Sequence, residues 1–355
     1  EHRRRLWAPS PTNPSTLSFC ALDGMQDWTG ADTGTIDVAN ADGDVITGAI
    51  SHKGELIVFK GPNRGSIWRI SGSTPSTFAL APFLTADNRS PAIPCISQHS
   101  IIRFSDDIAF ASPYGIHSLS ATQAFGDYKE DYLGAPIRTF WRGLVRSRDA
   151  FIQGVNHGAL GQAIWTVTET GTTHTTCLMA DYRFKPPRWA TWPAVDVASL
   201  AIMQDSAGVR RLFTGGYNGF VREGARTLKS IANTAYNFRV DTPHMWLGEP
   251  YRLKSAKKLY TTFNPTGNYA LTVTAIRENS TSETLSPNLG GSGAALDSFV
   301  LDTDVLGSDA WSLVHSDLTG DFRTLQLRFE QGGLDQDVEL HGIGLSVTPS
   351  DFPES

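Results

Sequence analysis

Short runs of alternating apolar and polar residues, each followed by a glycine, recur along the first two thirds of the chain. Four of these segments share one order: a strand that carries phenylalanine, a turn centred on glycine, and a second apolar strand. Their phenylalanines are Phe59, Phe110, Phe151 and Phe213, at spacings of 51, 41 and 62 residues. Alternation buries one face of a strand, and glycine supplies the positive φ that a tight hairpin requires. The pattern therefore predicts a series of small antiparallel sheets.

Repetition of one small sheet is typical of a β-propeller, in which each blade buries its faces against its neighbours. The clearest predicted hairpin is Tyr217-Asn218-Gly219-Phe220, and segment 4–8 is placed to open or close the ring. A tandem series of β-sandwiches would produce a similar pattern, and it stays open as the alternative architecture.

The pattern changes near residue 231. Segment 269–276 alternates cleanly for eight residues, and further strands are predicted at 235–240, 258–263, 299–301, 324–329 and 338–347. Strands of this kind are typical of a β-sandwich. We therefore predict an all-β protein, with a β-propeller-like domain over 1–230 and a jelly-roll-like β-sandwich domain over 231–355. Helix signals are scarce, and only 225–233 offers a short helix or turn.

Composition changes this picture little. The 355 residues are 40% hydrophobic and only 19% charged, which is enough apolar material for a packed core. No apolar run approaches the roughly 20 residues of a membrane helix, so we expect no membrane anchor. Cys20, Cys95 and Cys177 form no CxxC pair and have no metal-ligand spacing. We expect each of them to be a small buried hydrophobic residue.

Charge is distributed unevenly along the chain. Residues 278–355 contain 14 acidic residues against two arginines, a local formal charge of −12 in a chain whose net charge is −6. A solvated acidic face is the simplest interpretation. An acidic surface that repels a polyanion is the alternative.

The sequence contains none of the common catalytic motifs. GxSxG, HExxH and GxxxxGK[ST] are absent, and no two of the nine histidines have helical metal-binding spacing. Segment 37–44 resembles a calcium loop, but Val38 and Ala49 would occupy its first and twelfth ligand positions, so an Asp-Gly turn is the better interpretation. We therefore predict no catalytic residue, no metal site and no cofactor, and a protein that is not an enzyme.

Two other patterns relate to carbohydrate chemistry. Asp302 and Asp304, like Asp335 and Asp337, are two residues apart, so on a strand each pair would share a face, and carboxylate pairs serve glycoside hydrolysis. Both pairs lie in the acidic half of the chain, outside the predicted propeller, so surface solvation is the better explanation. Four tryptophans are candidates for stacking on a sugar or for filling a subunit interface, three of them in proline-rich segments predicted as loops. They are Trp189, Trp192, Trp246 and Trp311.

One known family resembles several segments of the first half of the chain. These segments are the opening Arg5-Leu6-Trp7-Ala8, the strand pair at 44–50 and 56–60, the segment 66–70 and the later segment 100–116. They are similar to blades in the tail hub or nozzle proteins of short-tailed double-stranded DNA bacteriophages. Residues 237–273 resemble the strands that follow the propeller in those proteins. The acidic segment after Glu278 has no counterpart that we can match.

The resemblance implies a structural subunit of a virion tail, repeated in a ring that is commonly a hexamer around the DNA-ejection channel. Its partners would be further copies of itself, neighbouring tail or adaptor proteins, and genomic DNA that passes without specific binding. We expect acidic residues to face this channel, because cationic side chains would retain the DNA. These residues are Asp297, Asp302, Asp304, Asp309, Asp335, Asp337 and Glu339. The alternatives are a carbohydrate-binding host-attachment module of a virion and a propeller glycosidase.

Overall fold

The computed structural model describes residues 1–85, 93–104, 106–120, 133–193, 195–224, 235, 237–278, 281–290 and 312–349. Strands predominate, and they form several small sheets. The chain divides into two compact units, Glu1–Ala225 and Arg226–Ser355. The predicted boundary lies five residues further along the chain than this division.

The described residues of the first unit form five antiparallel sheets that follow one another along the chain, and we number these sheets one to five. Within each sheet, strands that are consecutive in sequence are also neighbours. Sheets one and two contain β1 (Trp7–Pro9), β2 (Thr16–Phe19), β3 (Gly34–Asp37), β4 (Val45–His52), β5 (Glu55–Gly61), β6 (Ser66–Ser71) and β7 (Ala79–Thr85). Sheet three contains β8 (Ile102–Phe104), β9 (Asp107–Ser112) and β10 (Gly115–Ser118).

Sheets four and five complete the first unit. Sheet four contains β11 (Gly154–His157), β12 (Gln162–Val167), β13 (Thr176–Asp181) and β14 (Arg188–Pro193). Sheet five contains β15 (Ser199–Gln204), β16 (Arg210–Gly215) and β17 (Val221–Gly224). The predicted Asn218-Gly219 turn joins β16 to β17, and Gly219 has the expected positive φ of 82°.

Neighbouring sheets of the first unit share hydrophobic cores. Leu17 of sheet one packs with Leu56 of sheet two, and Phe59 of sheet two packs with Phe110 of sheet three at a ring separation of 5.0 Å. Sheets three and four share a further cluster that contains Trp165. Each of these sheets therefore buries a face against the next, as the repeating phenylalanine pattern predicts for its first two members.

The third phenylalanine of the repeat does not lie on a strand. Phe151 ends a short 3-10 helix, Arg146–Phe151, and is 53% exposed, with the Arg148 guanidinium 4.2 Å from its ring centre. Our prediction of a strand there was wrong, because the strand begins only at Gly154. Other short helices are Gln98–Ser100, Ala135–Ile137, Arg138–Arg142 and Gly158–Leu160. The predicted helix at 225–233 lies outside the described residues.

In the part of the second unit that the structure describes, the strands form two four-stranded antiparallel sheets. The first has the order β18 (Phe238–Asp241), β24 (Leu325–Gln331), β20 (Thr272–Arg277), β21 (Ser282–Leu285). The second is built on β19 (Lys254–Phe263), which pairs with β22 (Ser312–Asp317), β23 (Asp321–Phe322) and β25 (Leu340–Pro349). Both sheets contribute to one core, which includes Leu259, Phe263, Val273 and Phe329. The predicted strand at 299–301 lies outside the described residues.

Helical segments in the described part of the chain are short. None of them is both long enough and apolar enough to cross a lipid bilayer.

Candidate functional site

The first strands of all five sheets of the first unit line one cavity of about 550 Å³. This volume lies within the range of small-ligand sites. The lining contains an aromatic ring, several aliphatic side chains and a few polar groups. Its residues are Glu1, Trp7, Ala49, Ile50, Ser51, Leu56, Ile102, Arg103, Gly154, Val155, Asn156 and Ile202.

A glycine lets two of these strands approach each other. A Cβ at Gly154 of β11 would lie 2.7 Å from Trp165 Nε1 and 2.9 Å from the Ile102 side chain of β8, both closer than real Cβ contacts. The Trp165 indole N–H in turn donates to the carbonyl oxygen of Ser100 at 3.1 Å. Sheets three and four are thereby held together beside the cavity.

Packing behind the cavity wall fixes Trp7. Its ring lies 4.9 Å from that of Phe19 and 5.1 Å from that of Phe78, and its indole N–H donates to the carbonyl oxygen of His2 at 3.2 Å. Trp7 remains half-buried and lines the cavity. The cavity lining therefore includes an aromatic residue whose ring is held in one orientation.

Polar groups of the cavity are also held in place. The Asn156 side-chain oxygen accepts from the Tyr182 hydroxyl at 2.9 Å, which assigns the donors of this amide to its other atom, Nδ2. Arg103 donates to the carbonyl oxygen of Ser51 at 2.7 Å, and the Ser51 hydroxyl lies 2.9 Å from His2 Nδ1. The wall thus combines hydrogen-bond donors with apolar surface.

A smaller cavity of about 240 Å³ adjoins the first and shares Ser51 and Arg103 with it. We call its other residues, His52, Lys53, Asp106 and Asp107, the rim. The Asp107 carboxylate accepts from the backbone N–H of Ile108 and from both the backbone N–H and the hydroxyl of Ser120.

Burial lowers the pKa of His52, and the charge of Lys53 lowers it further, while Asp107 opposes both effects. His52 is therefore mainly neutral at pH 7. The rim therefore combines the carboxylates of Asp106 and Asp107 and the Lys53 side chain with a neutral imidazole.

The predicted acidic residues fall into two groups. Asp297, Asp302, Asp304 and Asp309 lie outside the described residues. Asp335, Asp337 and Glu339 are exposed in the connection between β24 and β25. Asp335 has a left-handed φ of 55°, and neither Asp335 nor Asp337 lies on a strand. The two residues therefore do not share a strand face, in contrast to the arrangement that we considered from the sequence. That these residues face a channel stays a prediction.

The four predicted tryptophans have different environments. Trp189 and Trp192 lie on strand β14, so our prediction that they stand in an exposed loop was wrong. Trp189 stacks on Trp165 at 6.0 Å, and its indole N–H donates to the carbonyl oxygen of Leu133. Trp246 is 51% exposed in a loop, and Trp311 lies outside the described residues.

The segment that resembles a calcium loop surrounds a cation from the chain itself. The Lys60 ammonium donates to the carbonyl oxygens of Val38 at 2.8 Å and Ala39 at 2.9 Å, and to an Asp42 carboxylate oxygen at 2.7 Å. Lys60 is completely buried. An Asp42-Gly43 turn, with Gly43 at a φ of 87°, gives the loop its shape.

The cavity residues Trp7, Ser51, Arg103 and Asn156 were missing from the residues that we predicted as a site. Metal-binding clusters of three or more His, Cys, Asp or Glu do not occur among the described residues. The order of the strands could have located the cavity, because the first strand of each sheet contributes to its lining. Locating these strands requires all five sheets to be known, and the phenylalanine repeat marks only four.

Comparison with known proteins gives distant structural matches. No protein-family model matches the sequence, and no curated protein matches it significantly. Solved structures that match include the exo-β-1,3-galactanase of Phanerochaete chrysosporium with β-1,3-galactotriose, at 12% identity, 97% and 96% coverage of this chain and that chain, and a TM-score of 0.27. The same enzyme with galactose matches at 11% identity, the same coverage and a TM-score of 0.22.

A further match, described as a glycoside hydrolase, has 9% identity, covers 96% of this chain and 70% of its own, and has a TM-score of 0.21. These matches contradict our prediction that the chain is not an enzyme, and we withdraw it. Since all three TM-scores are below 0.3, the matches do not assign an activity either. The resemblance to phage tail proteins is not tested by these comparisons and stays a prediction.

Proposed function

We propose that this protein binds a carbohydrate, and that the 550 Å³ cavity of the first unit is the binding site. The observation that carries the proposal is the convergence of five strands on one cavity that has both a tryptophan ring and fixed polar groups. In this proposal the five sheets are blades of a propeller-like ring, and the two sheets of the second unit form a sandwich.

The chemistry of a sugar fits this lining. A pyranose has hydroxyl groups that both donate and accept hydrogen bonds, and it has a face of C–H groups that packs on an aromatic ring. Asn156 Nδ2 and the Arg103 guanidinium are donors in the cavity, and Asp106 in the rim is an acceptor. Trp7 supplies the aromatic surface.

A polysaccharide array probed with the full chain tests this proposal. We expect binding to at least one saccharide and at least tenfold weaker binding after Arg103→Ala, because a hydrogen bond from a charged group contributes about 1.5–3 kcal/mol. Asn156→Ala removes a neutral hydrogen bond of about 0.5–1.5 kcal/mol and should weaken binding by about two- to tenfold. Arg69→Ala is the matched control, since Arg69 is a half-exposed arginine of β6 outside the cavity lining.

Two results would overturn the proposal. One is that no saccharide binds the wild-type chain. The other is that every saccharide that binds the wild type binds both cavity variants equally well. Analysis of the same mixtures for released sugars decides whether binding is accompanied by hydrolysis, which would extend the proposal to a glycosidase.

As a second candidate we propose a structural subunit of a phage tail ring, and a specific surface favours it. Met203, Val209, Phe220 and Val221, on or beside the strands of sheet five, are 47–69% exposed. Sheet five packs on sheet four through β11. Because the four apolar side chains remain exposed beside this contact, they are available to another subunit. Further copies of the chain, neighbouring tail or adaptor proteins and passing genomic DNA would then be the partners.

Electron microscopy of the purified chain, with mass measurement in solution, tests the second candidate. A ring of several copies, six by the family resemblance, around an open channel is the expected result. The second candidate would be contradicted if the chain is a monomer at micromolar concentration and stays a monomer when it is mixed with the neighbouring tail or adaptor proteins.

A further inference from the structure

We propose that the loop 242–253 of the second unit is a separate saccharide-binding surface, with Trp246 and Tyr251 as its stacking faces. The inference rests on the proposed function for the class of ligand, but its position and its residues are independent of the cavity. The loop joins β18 to β19.

Three large apolar side chains of this loop are exposed within six residues. Trp246 is 51% exposed, Leu247 is 37% exposed and Tyr251 is 81% exposed. Gly248, with a φ of 105°, and Pro250 lie between them. When a ligand covers an exposed aromatic ring, apolar surface is removed from water. This removal contributes favourably to the free energy of binding.

The backbone of the loop is fixed at both ends. Met245 and Leu325 exchange backbone hydrogen bonds of 2.8 and 3.0 Å at the start of the loop. At its end, the buried Lys254 ammonium donates to the carbonyl oxygens of Glu249 at 2.6 Å and Arg252 at 2.9 Å. A loop held in this way loses little conformational entropy when it binds, which favours weak ligands such as sugars.

Surface area favours a sugar over a protein as the ligand. Aromatic side chains bury roughly 150–250 Å² each, so these three partly exposed residues offer on the order of 300 Å². A stable protein interface needs about 800 Å² from each partner. One or two sugar rings cover an area of the smaller size.

Charge argues against a lipid surface as the ligand. The loop 242–253 contains one acidic residue, Glu249, and one basic residue, Arg252, so it has no excess of positive charge. Loops and helices that bind anionic membranes combine aromatic residues with an excess of lysine and arginine.

The test uses the full-length chain and a long polysaccharide that binds it in the array. We expect Trp246→Ala and Tyr251→Ala each to weaken binding of the long polymer several-fold, and the double variant to weaken it about tenfold or more. Trp246→Phe keeps an aromatic face and should retain most of the affinity. Trp28→Ala, which removes a 39% exposed tryptophan of the first unit, is the control.

A short oligosaccharide that fills only the cavity separates the two sites. It should bind the Trp246→Ala variant as tightly as the wild type and should bind Asn156→Ala weakly. If Asn156→Ala weakens binding but the Trp246 and Tyr251 variants bind the long polymer as the wild type does, this inference fails and the proposed function stands. The same variants are tested for binding to anionic vesicles and to proteins. If Trp246→Ala and Tyr251→Ala lose such binding while their saccharide binding is unchanged, this inference is also overturned.

Discussion

Replacement of Lys60 by methionine tests how the first unit is held together. Methionine keeps most of the length of the side chain but removes the ammonium group that donates to Val38, Ala39 and Asp42. These three oxygen atoms, and the Ser15 hydroxyl at 3.3 Å, then lose their cationic partner. Because a buried polar group that loses its partner costs about 1–3 kcal/mol, and because Asp42 is 31% exposed and can be hydrated, we expect Lys60→Met to lower the free energy of unfolding by about 2–4 kcal/mol.

Such a loss is a large fraction of the 5–15 kcal/mol that stabilises a typical domain. Urea unfolding followed by tryptophan fluorescence measures it, with Lys185→Met as the control because Lys185 is exposed. We expect the control to change stability by less than about 0.5 kcal/mol. A double-mutant cycle with Asp42→Asn should give a coupling energy of about 1–3 kcal/mol.

The reasoning fails if Lys60→Met costs less than about 1 kcal/mol, since the ammonium would then not be the centre of the loop. It also fails if millimolar calcium raises the melting temperature of the wild-type protein through this loop. In that case a metal ion, and not Lys60, would occupy the oxygen cage.

Three further predictions follow from buried or strained positions. Burial lowers the pKa of His117 to about 4 in the folded chain, whereas a histidine in the unfolded chain has a pKa of about 6.5. As the pH falls below about 6.5, the unfolded chain binds a proton that the folded chain does not bind. Stability that is present at pH 7 is therefore lost towards pH 4. The wild type should therefore lose up to about 3 kcal/mol more than His117→Gln between pH 7 and pH 4 in urea titrations, and equal losses would contradict this. Burial raises the pKa of Cys95 and of Cys177 to about 12, so neither thiol should react with a disulfide reagent at pH 8 until the protein is unfolded, and reaction of the native protein within minutes would refute their burial. Gly65→Ala combines a φ of 74° with a Cβ 2.3 Å from a backbone atom and should cost more unfolding free energy than Gly171→Ala, which has a similar φ and open space; equal costs would contradict the described packing.

Local patterns predicted the sheets best where each strand buries one face. Segments 55–59 and 66–70 lie within β5 and β6, and the Asn218-Gly219 turn lies between β16 and β17. These features depend on residues that are close in sequence. Phe151 shows the limit, because an isolated phenylalanine gives no indication of whether its backbone is extended or turned.

The cavity could not be predicted because its residues are neighbours only in space. Trp7, Ser51, Arg103 and Asn156 come from four sheets, and none of them belongs to a motif. Trp189 was misplaced for a related reason. Prolines at 186 and 187 suggested a loop, whereas β14 begins immediately after them and Trp189 packs on Trp165.

An experimental structure of the full chain with a bound oligosaccharide tests the central claim most directly. We predict that a sugar ring packs on Trp7 inside the first unit and accepts hydrogen bonds from Asn156 Nδ2 and Arg103. A saccharide that binds only elsewhere on the chain, for example at the loop 242–253, and leaves the cavity without a sugar would contradict the claim.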